Sequence, residues 1–476
     1  MYSCVTSVLW QVPSARAYNP AGAMKRTACV MALLGAVGLL ALGSAVPTPW
    51  QYGVIYWVEG VPERVQDYVN VATHMVRQVF GAWDLPIPRP TGEWQSPLEV
   101  AAGREEARRE LGPDFPPLGI VVPGPADGVF WALPPLRLGD REIPPLTLVV
   151  FPDREGFGTA CGNYLAQGLF SPDPGRSCDS EIWEPWLQEL VGDNPSPAVL
   201  VVFGEGWGAE IDAFREVLAH ELSHWAFLLW CESHGLDMWG VPDLLLEGLA
   251  EYTVIQAYRL RLYMIPPAEA HPLAAMWARE HGLADVPLWL SYPVGYSLVD
   301  FLVRRHRWGR FLVLLPDYIG NWEENLARWE PEWREWLLEG LPEVEERAGE
   351  RLHLSFEVAS ELIPAWIMLE PLLSPLEELR LESREDLDRL RAQLEGPFPE
   401  PEPGVWEELA KRERTFLAVS WWGSGGCDTP PEVAELMEEL RVARETGDWE
   451  RYIATFLRGI EEVIVAQASA PVEATP

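Results

Sequence analysis

His220-Glu221-Leu222-Ser223-His224 is the segment of this chain whose residue types and spacing can do chemistry. On a helix, residues four apart lie on one face, so both imidazoles can reach a single metal ion. Glu221 sits beside them, positioned to accept a proton from water activated by that metal. With eight histidines in 476 residues, chance would produce this pattern roughly 0.01 times per chain of such composition. A catalytic zinc needs a third protein ligand and keeps a fourth position open. Leu246-Glu247-Gly248-Leu249-Ala250-Glu251-Tyr252 begins 22 residues after His224. Glu247 fits the third ligand of one Zn2+ per chain. Glu251, one turn on, fits a carboxylate that orients a ligand imidazole, with a solvated helix face as its alternative.

These residues need helices to present them and a core to hold the helices. Phe214, Val217, Leu218, Leu222, Trp225 and Leu229 form an apolar stripe at helical period, with Asp212 as candidate N-cap. A second helix is expected from Asp243 to about Leu262, a third from Gly295 to His306, and another over Trp329–Leu338. Ahead of them, Tyr52–Val58, Leu146–Phe151 and Val199–Phe203 read as strands, and Pro62–Phe80 and Leu98–Leu111 as helices. The stretch Cys161–Pro197 reads as a loop. Beyond about residue 345 the chain is Glu/Arg-rich and helical, ending in a pair, Pro431–Ala443 and Trp449–Ala466, that turns at Thr446-Gly447-Asp448. The fold class expected is α+β: a catalytic domain over 46–345, made of a small mixed sheet lead-in followed by a mainly helical region, and a helical extension over 346–476 with an unstructured end. No internal repeat is visible, and the extension carries no recognisable chemistry.

HELSH followed by LEGLAEY resembles the gluzincins, and especially the peptidase MA-like group of exported bacterial proteins, relatives of thermolysin and aminopeptidase N. In that group a phrase of the form P-x-W-L-x-E-G-x-A-x-Y supplies the third zinc ligand. Pro242, Leu245, Glu247, Gly248, Ala250 and Tyr252 match it, and Leu244 replaces the Trp. The resemblance implies a zincin-type catalytic region and an oxyanion-stabilising Tyr in a Y-x-x-G context. Tyr292-Pro293-Val294-Gly295 fits that context, with Tyr296 as the competing phenol and an ordinary packed Tyr as the alternative. Aminopeptidases of this kind hold the substrate amine with a G-x-M-E-N segment, which is missing here, so an endopeptidase is expected. His234 is no metzincin ligand, because Phe227 and Trp230 stand where that motif requires Gly and His. His74, His271, His281, His306 and His353 lack metal-ligand spacing and read as structural or solvent-facing.

Composition narrows the partners. Thirty-six basic against 72 acidic side chains give a net charge of −36, which disfavours nucleic acid. Lys25 and Arg26, the apolar run Ala28–Gly43 and the small residues Gly43, Ser44 and Ala45 follow the order of a secretory signal peptide, with Met24 as the expected true start. An uncleaved membrane anchor is the alternative, and through it the only expected membrane contact. The protein is therefore expected to be exported, secreted or on the cell surface, with 1–45 as leader. Cys161, Cys178, Cys231 and Cys427 would remain, and Cys161 with Cys178 is the favoured pair if disulfides form. Peptides or proteins are the expected substrates. Two other readings stay open at this point: a secreted binding or scaffold protein that keeps the site without turnover, and a zinc hydrolase of a non-peptide bond.

Overall fold

The computed structural model describes residues 45–60, 62, 64–92, 121–123, 130–132, 135–172, 174, 179–192, 197–202, 211–257, 265–287, 290–358, 362–373, 383–424 and 428–465. The signal-peptide run, the expected helix over 98–111, the chain's last residues, and Cys178 and Cys427 lie outside these. So does any Cys161–Cys178 pairing. The fold is α+β and mainly helical, with its sheet toward the N-terminus. Two groups of contacts divide the described residues: one unites 45–162 with 166–225, the other 163–165 with 226–465.

The first group is built on a five-stranded sheet of β1 (Val46–Trp50), β2 (Gly53–Trp57), β3 (Leu146–Phe151), β4 (Gly168–Ser171) and β5 (Ala198–Val202). Their spatial order is β1-β2-β3-β5-β4. β1 and β2 form an antiparallel hairpin, pinned where Trp57 Nε1 donates to Thr48 Oγ1 at 2.9 Å. β2, β3 and β5 are parallel, with Gly53 opposite Leu146 and Ala198 opposite Thr147. Parallel neighbours need crossover connections. α1 (Val65–Ala82) lies in the first crossover and α2 (Arg154–Cys161) in the second. Every residue of β2, β3 and β5 is buried, which is why they read as mainly apolar runs without alternation. β4 returns antiparallel on β5, with Gly168 opposite Val201, and ends the sheet.

α1 buries a stripe of Tyr68, Ala72, Met75, Val76, Val79 and Phe80. Two of these rings meet the helix that carries His220: Tyr68 lies 5.9 Å from Phe214 and Phe80 lies 5.0 Å from Trp225, both edge-on. That helix, α3, runs unbroken over Ile211–His234. It already includes Asp212, so Asp212 is not the cap that the sequence suggests.

The second group begins in the last turns of α3. It continues through α4 (Asp243–Ala257), α5 (Pro272–Glu280), α6 (Ser291–His306), α7 (Trp308–Gly320) and α8 (Trp322–Leu338). α6 starts four residues earlier than expected, which moves Tyr292 from a preceding loop into its first turn. α4 and α6 pack along each other and touch through glycine. A Cβ on Gly248 would stand 2.3 Å from the Gly295 carbonyl oxygen, and one on Gly295 would stand 2.1 Å from that of Leu244. Further on, α9 (Pro403–Arg412), α10 (Arg414–Ser424), α11 (Pro431–Thr446) and α12 (Trp449–Gly459) surround a core that includes Leu409, Phe416, Leu440, Tyr452 and Phe456. The expected turn between the last two is present: Gly447 closes α11 at φ 70° and the Asp448 side chain caps α12 by accepting from Arg451 N at 3.1 Å.

Candidate metal centre

His220 and His224 lie one turn apart near the middle of α3, and both are buried. Their Nε2 atoms are 3.2 Å apart with the rings nearly perpendicular, centroids 4.9 Å apart. Zinc–imidazole bonds of 2.0–2.1 Å in a tetrahedron put neighbouring donors about 3.3 Å apart, so the two nitrogens stand at the separation one metal requires. Glu247, half-buried in the second turn of α4, completes the set: one ligand atom from each of His220, His224 and Glu247 lies within 4.8 Å of the others. It is the only such group of metal-capable side chains found among the described residues.

Glu221 is buried beside them, 6% exposed. It reaches this position because β4 passes it with a glycine. A Cβ on Gly168 would fall 2.3 Å from Glu221 Oε1, so any larger residue would push the carboxylate away. Two residues on, Phe170 lies nearly parallel to the His224 ring, centroids 6.4 Å apart. β4 falls in the stretch read from sequence as a loop. Four residues are too few to show a period, and Gln167 and Gly168 interrupt the apolar residues around them.

Glu251 is 5% exposed and so is no solvated face. Tyr292 is half-buried in the first turn of α6, three residues from the Gly295 that meets Gly248 and Leu244. The same crossing brings in Tyr296, which is buried with its ring 6.3 Å from that of Tyr252. Of the remaining histidines, His234 is exposed at the end of α3, stacked 4.1 Å from Trp230 with Nδ1 2.8 Å from its carbonyl oxygen. His271 is buried, and its Nε2 lies 2.8 Å from Asp300 Oδ2. Sequence spacing gave no sign of this pair, because its members are 29 residues apart. Cys231 is buried in α3, and burial, aided by Asp237 and Glu232, pushes its thiol up to about 12, so it stays protonated and is no competing ligand.

The chemistry available to this arrangement is that of two neutral imidazoles and a carboxylate converging on a divalent cation, with a further buried carboxylate beside them. Hard–borderline N2O donor sets of this kind suit zinc. Comparison of the chain with protein-family models, curated proteins and solved structures finds no match.

Proposed function

We propose that the protein is an exported zinc-dependent peptidase of the peptidase MA-like type, acting on peptide bonds within proteins or peptides. The observation that carries this reading is the convergence of His220, His224 and Glu247 on one point, with Glu221 buried next to them. Zinc held by the three would supply Lewis acidity at a carbonyl and lower the pKa of water. The chain's own groups do the rest. Glu221 takes a proton at its carboxylate and returns it to the leaving amine. Tyr292 donates its phenolic proton to the oxygen on which negative charge develops. Glu251 orients an imidazole ligand through its free ring nitrogen.

An extended substrate has a natural place on this reading. Among the described residues β4 is the last strand of its sheet, so its outer edge can pair with a peptide backbone by strand addition. Gly168 and Phe170 on that strand are the residues beside Glu221 and His224. Backbone pairing does not read a free N-terminus, which agrees with the missing amine-binding segment and favours an endopeptidase.

Metal content of the purified protein by mass spectrometry, alongside hydrolysis of an unfolded protein substrate, tests the proposal. About one zinc per chain is expected, with most of it lost in Glu247→Ala. Glu221→Gln should keep the zinc and lose hydrolysis by 10²-fold or more, on the order expected for a general base. A zinc-free wild type after metal-replete purification, or a Glu221→Gln variant as active as wild type, would overturn it.

A further inference from the structure

Four polar residues of α6 fall on one stripe at a spacing of four: Tyr292, Tyr296, Asp300 and Arg304. Such a stripe is ordinary on a surface helix. Here it runs through a helix whose residues from Pro293 to Val303 are all buried. Buried polar groups are costly unless paired, so each member needs an account.

Asp300 and Arg304 have one. Asp300 Oδ2 accepts from Arg304 Nε at 2.9 Å and stands 2.8 Å from His271 Nε2. Burial alone would raise this carboxyl, but His271 and Arg304 together hold it below its usual range, so it stays charged. Arg304 also reaches the Ile265 carbonyl at 3.4 Å. Tyr296 differs. Its ring packs edge-on against His271, centroids 4.6 Å apart, and it is 7% exposed. Its hydroxyl is buried with no hydrogen-bond partner among the described residues. A buried phenol of this sort ordinarily finds one.

The packing of the side chain narrows what that partner is. The Tyr296 ring touches His271 on one side and lies 6.3 Å from Tyr252 of α4, the residue after Glu251, on another. α4 and α6 cross there through Gly248 and Gly295. Asp300 is moreover already engaged by His271 and Arg304. The other fully buried carboxylate on these two helices is Glu251, one turn after Glu247 on α4.

We propose that Tyr296 is a positioning residue for the metal centre: braced by the buried His271–Asp300–Arg304 cluster, its hydroxyl donates to Glu251 when metal is bound and fixes that carboxylate in place. The inference rests on the zinc reading above and extends it by one layer.

A structural and a positioning role move different readouts. A hydroxyl with no hydrogen-bond partner among the described residues can be deleted with little loss of stability in protein stripped of metal. Losing a hydrogen bond behind the ligands should weaken metal binding about 10-fold or more. The experiment measures zinc affinity by chelator competition, the visible absorption of the cobalt-substituted protein, and the melting temperature of the metal-free protein. It compares wild type, Tyr296→Phe and Asp300→Asn. Expected for Tyr296→Phe are a zinc affinity lower by about 10-fold, an altered cobalt spectrum and an unchanged or higher metal-free Tm. Asp300→Asn should move zinc affinity in the same direction. Affinity within twofold of wild type, or a loss that only follows a fall in metal-free Tm, would overturn the positioning role and leave the zinc reading intact. A wild type that binds neither zinc nor cobalt would overturn both.

Discussion

At the scale of single residues, two positions carry information that their identities alone do not. Gly168 has no side chain to contribute, yet its missing Cβ makes room for Glu221. Gly168→Ala should therefore displace the proposed base while leaving His220, His224 and Glu247 untouched. The expected outcome is near-normal zinc content with hydrolysis reduced by 10-fold or more, since a small misplacement of a catalytic group is costly; a fully active variant would show that the space left by Gly168 does not position Glu221. Asp300 makes a prediction about pH. Its carboxyl is held below its ordinary range in the folded protein by His271 and Arg304 against the effect of burial. A depressed folded-state pKa gives stability that is fully present above the unfolded value, about 3.9. That stability is lost as pH falls through the folded one. Removing one partner of a buried pair costs about 3–5 kcal/mol, so Asp300→Ala should lose roughly that near neutrality. The gap to wild type should narrow as pH falls below about 4. Urea unfolding of both proteins across pH 3–7 measures this, and a gap independent of pH would argue against the ion pair.

At the scale of elements, the site depends on how closely α4 and α6 approach. Gly248 and Gly295 each stand where a methyl group would lie within 2.3 Å of a carbonyl oxygen of the other helix. Gly248→Ala must push the helices apart, at a cost of about 1–3 kcal/mol for overpacking. It should also shift Glu247, the preceding residue, so that zinc content falls with stability. Denaturant midpoints and metal analysis check both effects, and a variant unchanged in each would remove the crossing from the account. What was legible in the sequence differs by element. The Glu-Gly and Tyr-x-x-Gly phrases were picked out through a resemblance to a known family, and their glycines, Gly248 and Gly295, are the ones that meet at the crossing. The i, i+4 spacing of His220 with His224, and of Glu247 with Glu251, was legible because helical periodicity is local. β3 and β5 showed as continuous apolar runs because both faces are covered. β4 was not legible: a four-residue edge strand is defined by its pairing with β5, which lies nearly thirty residues on. Nor was the His271–Asp300 pair, nor the start of α6 at Ser291, where Pro293 reads as a break but sits within the first turn that tolerates it.

At the scale of the whole molecule, the C-terminal helices carry no recognisable chemistry, yet they are not a self-contained appendage. Their contact group includes three residues from far up the chain, 163–165. Tyr164 is 1% exposed; its backbone N–H donates to Thr415 Oγ1 at 3.3 Å, and the Arg412 guanidinium lies 4.2 Å from the centre of its ring. Arg412 is itself buried, bonded to the Ile367 carbonyl at 3.2 Å and paired with Glu370 at 3.0 Å. Leu165 packs against the core that holds Phe416 and Phe456. A cation stacked on a desolvated ring is worth about 2 kcal/mol, and truncating a buried aromatic leaves a cavity worth about 3–5 kcal/mol in all. Tyr164→Ala should therefore loosen α9 and α10 first, because Arg412 ends one and Thr415 lies in the first turn of the other. Hydrogen exchange resolved by segment measures this directly. Faster exchange over 403–424, with 146–151 of the central sheet unchanged, is expected. Uniform acceleration over the whole chain would mean instead that Tyr164 supports global stability, and unchanged exchange would mean that the C-terminal core does not rely on this segment.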